Sequence, residues 1–97
     1  MQMHQVRYFL ALCRELNFTR AAKSCGVAQP SLTNALKALE DEVQGKLFQR
    51  FPRVQLTELG WMIKQPMERI YVNAEEVKRF ALRDSGRSSQ DAYRKQE

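Results

Sequence analysis

Hydrophobic positions along this chain change period twice, and the changes divide it into parts. From Val6 to Leu16 the apolar residues Val6, Phe9, Leu10, Cys13 and Leu16 fall three and four apart, with Arg7, Arg14 and Glu15 on the other side. That spacing predicts an amphipathic helix from about His4 to Leu16. A second, shorter helical stretch follows, with Asn17 and Thr19 both suited to cap it. Its Ala21 and Ala22 are good helix formers whose bare methyl groups let a neighbouring helix come close. Gly26 stands where this helix must stop, because a residue without Cβ takes the left-handed conformation that ends a helix and turns the chain. The third helix is predicted from Pro30, whose fixed φ suits a first turn, to Val43. Leu32, Leu36 and Leu39 make its inward side, which leaves Gln29, Ser31, Thr33, Asn34 and Lys37 outside.

After Gly45 the period shortens. Leu47-Phe48-Gln49-Arg50 and Val54-Gln55-Leu56 are short apolar-polar runs on either side of Phe51-Pro52-Arg53, which predicts a small β-hairpin. Thr57 and Glu58 then suit the start of a long helix, one as its cap and the other against its positive end. Leu59, Ile63, Pro66, Ile70, Asn73, Val77 and Phe80 repeat three and four apart, close to a heptad seam. A helix from Glu58 to Arg83 would be about 39 Å long, more than a domain of under ~60 residues can cover. The uncovered apolar side predicts a partner helix, most simply the same helix of a second copy. Pro66 should bend this helix or loosen one turn, and Asn73 on the seam can fix register. From Asp84 to Glu97 almost nothing apolar remains, which reads as a disordered tail or a cut linker.

Composition narrows the function classes. With 97 residues there is room for one domain. Sixteen Lys and Arg against eleven Asp and Glu give a net charge of +5, which favours a polyanionic partner. Residues 1 to 57 hold eight basic and four acidic side chains, whereas residues 58 to 97 hold eight and seven, so the excess travels with the first three helices and the hairpin. No apolar run approaches the ~20 residues that cross a bilayer, and no secretory signal opens the chain, so a cytoplasmic location and no membrane partner are expected. Two cysteines and one histidine are too few for a zinc site. Cys13 on the apolar side of the first helix reads as a small core residue. Cys25 beside the turn reads as structural ahead of a redox switch, since nothing in sequence lowers its pKa. No nucleophile, base or metal constellation can be assembled, so no enzyme activity and no cofactor are expected.

Two short helices hinged at a glycine, the second opening with polar residues, read as a helix-turn-helix that contacts duplex DNA. Gln can pair bidentately with adenine, Ser and Thr are permissive, and Lys suits guanine or phosphate. An ordinary solvated helix face has a similar composition, and it is the order of Ala-Ala helix, Gly turn and polar helix start that favours DNA. The acidic end Glu40-Asp41-Glu42 would repel phosphates, so the N-terminal half of the third helix is expected to face the groove. Arg50 and Arg53 at the hairpin make it a wing for the minor groove or flanking backbone, the plain alternative being two solvated arginines.

These motifs together resemble the N-terminal part of a LysR-type transcriptional regulator, over about residues 3 to 83. The resemblance is carried by Val6-Arg7-Tyr8-Phe9, Phe18-Thr19-Arg20-Ala21-Ala22, Gln29-Pro30-Ser31-Leu32-Thr33, Leu39-Glu40, Leu47-Phe48-Gln49-Arg50 and Leu56-Thr57-Glu58-Leu59-Gly60, in that order. It implies a mainly α winged helix-turn-helix, three helices plus a two-stranded β-hairpin wing, followed by a long dimerisation helix. It also implies that Gln29, Pro30, Ser31, Thr33 and Asn34 face bases or phosphates, with Arg50 and Arg53 in the wing. Asn34 stands where the family often has Arg, which weakens that contact or directs it at adenine. Ala28 stands where Ser is common, which removes a cap and leaves helix amides freer for a phosphate. The family's C-terminal effector-binding domain has no counterpart in these residues. The chain is therefore expected to be a fragment, a truncated product, or a protein that works without a small-molecule sensor; an effector is expected only if such a domain exists.

The resulting expectation is a non-enzymatic, sequence-specific binder of double-stranded DNA, with residues 1–57 as the winged helix-turn-helix, 58–83 as the linker helix and 84–97 as the tail. Thr19, Arg20, Gln29, Pro30, Ser31, Thr33, Asn34, Lys37, Arg50 and Arg53 are the DNA-binding candidates. Leu59, Ile63, Ile70, Val77 and Phe80 are the candidates for a homodimer seam. The alternative is a protein-interaction module whose long helix forms mixed dimers with a full-length regulator.

Overall fold

The computed structural model describes residues 1–84, so the tail expected beyond them lies outside the described residues. Four helices and one hairpin follow in the order α1 (Met3–Glu15), α2 (Phe18–Cys25), α3 (Gln29–Val43), β1 (Phe48–Gln49), β2 (Gln55–Leu56) and α4 (Glu58–Asp84). The fold is a winged helix-turn-helix followed by a long helix, as the sequence predicts.

The first helix ends differently from its pattern. Leu16, expected on the buried side of α1, is its C-cap at φ 50°, and its amide bonds to the Leu12 carbonyl at 2.8 Å. The left-handed turn swings the Leu16 side chain outward, where it is 43% exposed. Leu12 and Ala11 fill the core in its place beside Val6 and Phe9, while Leu10 and Cys13 pack at its edge.

Between α1 and α2, Asn17 is the cap that forms: its Oδ1 accepts from the Arg20 amide at 2.8 Å. Gly26 closes α2 at φ 70°, and the Val27 amide reaches back to the Ala22 carbonyl at 3.0 Å. That reach-back satisfies a terminal carbonyl and fixes the angle between α2 and α3. Ala21 and Ala22 are fully buried, and so are Leu32, Leu36 and Leu39 of α3. Deleting one such leucine costs about 2 to 5 kcal/mol.

The hairpin is short. Phe48 pairs with Leu56 and Gln49 with Gln55 in antiparallel register. Leu47 and Phe48 bury their side chains in the domain, Phe48 against the Phe9 ring at 5.6 Å. The Thr57 hydroxyl accepts from the Gly60 amide at 3.1 Å and donates to the Lys46 carbonyl at 2.6 Å, so the cap of α4 is tied to the root of the hairpin. Gly60 lies against the Leu47 carbonyl so closely that a Cβ there would collide with it.

In α4 the helix runs unbroken across Pro66 and takes in Asp84, which the sequence assigned to the tail. The expected seam divides. Leu59 and Ile63 are half-buried against the domain's own core, with Met67 fully buried beyond them, so these two seam candidates are partly covered within one chain. Tyr71, one turn past Met67, still packs against the core; beyond it the helix leaves the domain, and Val77, Phe80 and Leu82 are exposed, as are Ile70 and Val72 on either side of Tyr71. The described residues extend 57 × 25 × 18 Å, an elongation that α4 produces.

Candidate nucleic-acid interface

The polar flank of α3 faces solvent at its N-terminal half. Gln29, Pro30, Ser31, Asn34 and Lys37 are exposed and Thr33 is half-buried, while the leucines of the same helix are turned into the core. Nothing caps α3 with a side chain at Ala28. The Ser31 amide bonds to the Ala28 carbonyl at 3.0 Å and Pro30 has no N–H, so the first turn offers fewer amides to a phosphate than the missing Ser cap suggested. The Gln29 amide is the one left.

Three sets of contacts join α2, α3 and the wing, one of them at this helix start. The Thr19 hydroxyl, in the first turn of α2, donates to Gln29 Oε1 at 3.1 Å. That bond orients the Gln29 amide and leaves both Nε2 hydrogens and one Oε1 lone pair available. Next to Thr19, the Phe18 ring carries the Arg50 guanidinium at 4.3 Å, so the wing leans on the helix that supports the recognition helix. A cation over an aromatic face contributes about 0.5 to 1 kcal/mol at an exposed site. Behind these, Glu40 Oε2 accepts from the Leu47 amide at 2.8 Å, and Lys46 Nζ lies 3.9 Å from its Oε1. Glu40, read from sequence only as a carboxylate to be kept from phosphates, thus fastens the wing root to α3.

The structure thus bonds Thr19 to Gln29 and sets Arg50 against Phe18, the residue before Thr19; Pro30 and Ser31 are exposed next to Gln29, with Asn34 and Lys37 farther along α3. Arg20 is exposed but engaged, its Nε 3.7 Å from Glu15 Oε1 and its Nη2 donating to the Glu15 carbonyl at 3.3 Å. Arg53 is exposed at the hairpin turn, with no ion pair or hydrogen bond among the described residues. Phe18 and Glu40 were not among the sequence candidates. Each sits inside a motif that carried the resemblance, which is the signal that marked them.

The two cysteines end on a different side. Both line a cleft of about 590 Å³ between α1, α2 and α4, with Arg14, Lys64, Glu68 and Tyr71 around it. Both are half-buried free thiols. Burial pushes the Cys13 thiol up to about 12, with Lys64 opposing the shift and Glu68 adding to it. A thiol so placed stays protonated near neutrality and packs as a small apolar group. Among the described residues no cluster of three or more His, Cys, Asp or Glu is placed to hold a metal ion, and no helix is long and apolar enough to cross a membrane.

Comparison with known proteins follows the same lines. Residues 3–61 match the model of the bacterial regulatory helix-turn-helix protein, lysR family. The HTH-type transcriptional regulator BudR of Klebsiella aerogenes is 51% identical over 61 residues, covering 62% of this chain and 43% of that protein. Among solved structures, a BenM DBD/catB site 1 DNA complex superposes with a TM-score of 0.80 at 29% identity, over 88% of this chain and 97% of that one. A CbnR DBD–DNA complex gives 0.79 at 31% identity, over 90% and 100%. The chain spans less than half the length of the curated relatives it matches, 43% of one and 26% of another.

Proposed function

The chain belongs to the lysR family of bacterial regulatory helix-turn-helix proteins, and from that premise we propose that it binds double-stranded DNA sequence-specifically, as a homodimer, in the cytoplasmic control of transcription. The observation that carries this reading is the division of α3 into a buried leucine side and an exposed polar flank whose leading residue, Gln29, is oriented by Thr19. A helix built this way lays its polar flank into the major groove while the core fixes its angle. Gln29 then reads an adenine through its amide, Ser31, Thr33 and Asn34 add contacts along the groove, and Pro30 shapes the start of the helix. Lys37, Arg20 and Arg53 meet phosphates, with Arg20 exchanging Glu15 for the backbone. Arg50 holds the wing in place.

Dimerisation rests on the distal part of α4. Ile70, Val77 and Phe80 are 39%, 66% and 56% exposed, a series of apolar side chains on a helix that the domain does not cover. Paired with the same helix of a second copy they would be buried, and the two recognition helices would address half-sites about 34 Å apart. The same exposed series also admits the helix of a full-length relative, which would make mixed dimers. Mixing the two proteins and following subunit exchange separates these readings. No side-chain arrangement on this surface suggests catalysis, and the proposed role needs neither cofactor nor membrane.

Selection of bound duplexes from a random library, with sedimentation of the recovered complex, tests the proposal. We expect a dyad-like motif and two chains per duplex. Gln29→Ala should lose about 1 to 3 kcal/mol of discrimination at one base position. Equal losses on selected and random duplexes would remove Gln29 from base reading, and a library that yields no motif would refute specific binding.

A further inference from the structure

Phe51 is 86% exposed, more than any other large apolar side chain among the described residues. Scattered apolar residues on a surface are ordinary. This one differs in where it stands and in how firmly it is held. It occupies the tip of the hairpin between Arg50 and Arg53, and no acidic residue occurs from Lys46 to Thr57. Gln49 Nε2 donates to the Phe51 carbonyl at 3.3 Å, and Pro52 follows directly, so the backbone that presents the ring is constrained. Phe51 adds nothing to the core, whose aromatic contribution from the hairpin is Phe48. The tip is also tied to the recognition surface: Arg50 packs on Phe18, whose neighbour Thr19 bonds to Gln29. The DNA-binding reading above sets this wing at the minor groove or backbone that flanks the recognition helix.

We infer that Phe51 is an apolar wedge that enters the minor groove beside the recognition helix and partly unstacks one base step. The inference rests on the DNA-binding reading above. A wing that met only phosphates would need its arginines and no exposed ring. Side chains such as Phe, Leu and Ile inserted between base steps unstack and kink the duplex, and Arg53 beside the tip supplies a cation for the neighbouring phosphate. Pyrimidine–purine steps, which open most easily, would be preferred there, giving sequence preference outside the bases that α3 reads.

The test uses the whole chain and duplexes that the wild-type protein recovers from a random library, resynthesised with 2-aminopurine in place of flanking adenines. Wild-type protein is expected to brighten the probe at one flanking step several-fold. Phe51→Ala should leave it dark and bind about tenfold more weakly. Phe51→Leu should restore most of both, because bulk and not aromaticity makes the wedge, while Phe51→Ser should behave like Ala. The salt slope should be equal in all four, since no phosphate contact is removed. The substituted position lies outside the core, so circular dichroism and Tm should not change. Phe51→Ala binding within twofold of wild type with equal brightening would overturn the wedge, as would a loss that follows the salt slope. A shift of Phe51→Ala from dimer to monomer would show instead that the tip contacts protein, and would also overturn it. Recovery of no duplex by the wild-type chain would defeat the DNA-binding reading itself and the wedge with it.

Discussion

Thr19 and Gln29 lie on different helices, yet the hydrogen bond between them decides how the Gln29 amide is presented. A free Gln side chain would lose rotamer freedom on meeting a base; one already oriented loses less. Arg53 is the opposite case, a cation on a turn without a partner among the described residues. Its contribution should be sequence-independent. Arg53→Ala is expected to weaken binding alike on selected and random duplexes and to lower the slope of log affinity against log salt by about one unit. A slope equal to wild type would take Arg53 out of the interface. At this scale the sequence was legible where chemistry is local: Gly26 at a left-handed turn and the three leucines of α3 follow from residue type and spacing, whereas Asn17 and Thr19 both suited the cap of α2 and the structure selects Asn17. Leu16 was not legible. Its position continues the apolar period of α1, and nothing in a leucine announces a left-handed cap that turns it to solvent.

The elements are joined by contacts between backbone and side chains that spacing does not reveal. Thr57, Gly60, Leu47 and Glu40 form one junction among α3, the hairpin and α4. Gly60 sets its tightness. Gly→Ala inside a helix ordinarily stabilises by about 1 kcal/mol. Here the sign should reverse, because the added methyl meets the Leu47 backbone, which cannot rotate away as a side chain would. Gly60→Ala is expected to destabilise by about 1 to 3 kcal/mol in thermal or urea unfolding. Stabilisation would show that α4 can shift away from the wing root. The four helices and the hairpin could be read from period changes, whereas this junction could not, since it depends on which backbone comes near which.

For the whole molecule the informative ambiguity is α4. One three-and-four spacing runs from Leu59 to Phe80, and sequence could not say that its first part serves the chain's own core and its last part faces outward. Both uses require the same pattern. Because Val77 and Phe80 lie beyond the domain, Val77→Asp and Phe80→Asp should leave Tm of the winged domain unchanged and, on the proposed dimer, halve the mass in sedimentation. Loss of the second half-site should reduce affinity for a two-site duplex about 10²-fold or more. A mass equal to wild type would place the dimer contact elsewhere.

Tyr71 is the last residue of α4 that packs against the domain core, one turn past the buried Met67, and thirteen positions separate it from Asp84. That stretch is a lever about 20 Å long at ~1.5 Å per residue. A tilt of about 10° at the Tyr71 fulcrum moves its far end by some 3 to 4 Å, on the order of one nucleotide's advance along a strand. In a two-chain assembly the seating of Met67 and Tyr71 would thus bear on how much variation in spacer length the pair of reading heads tolerates.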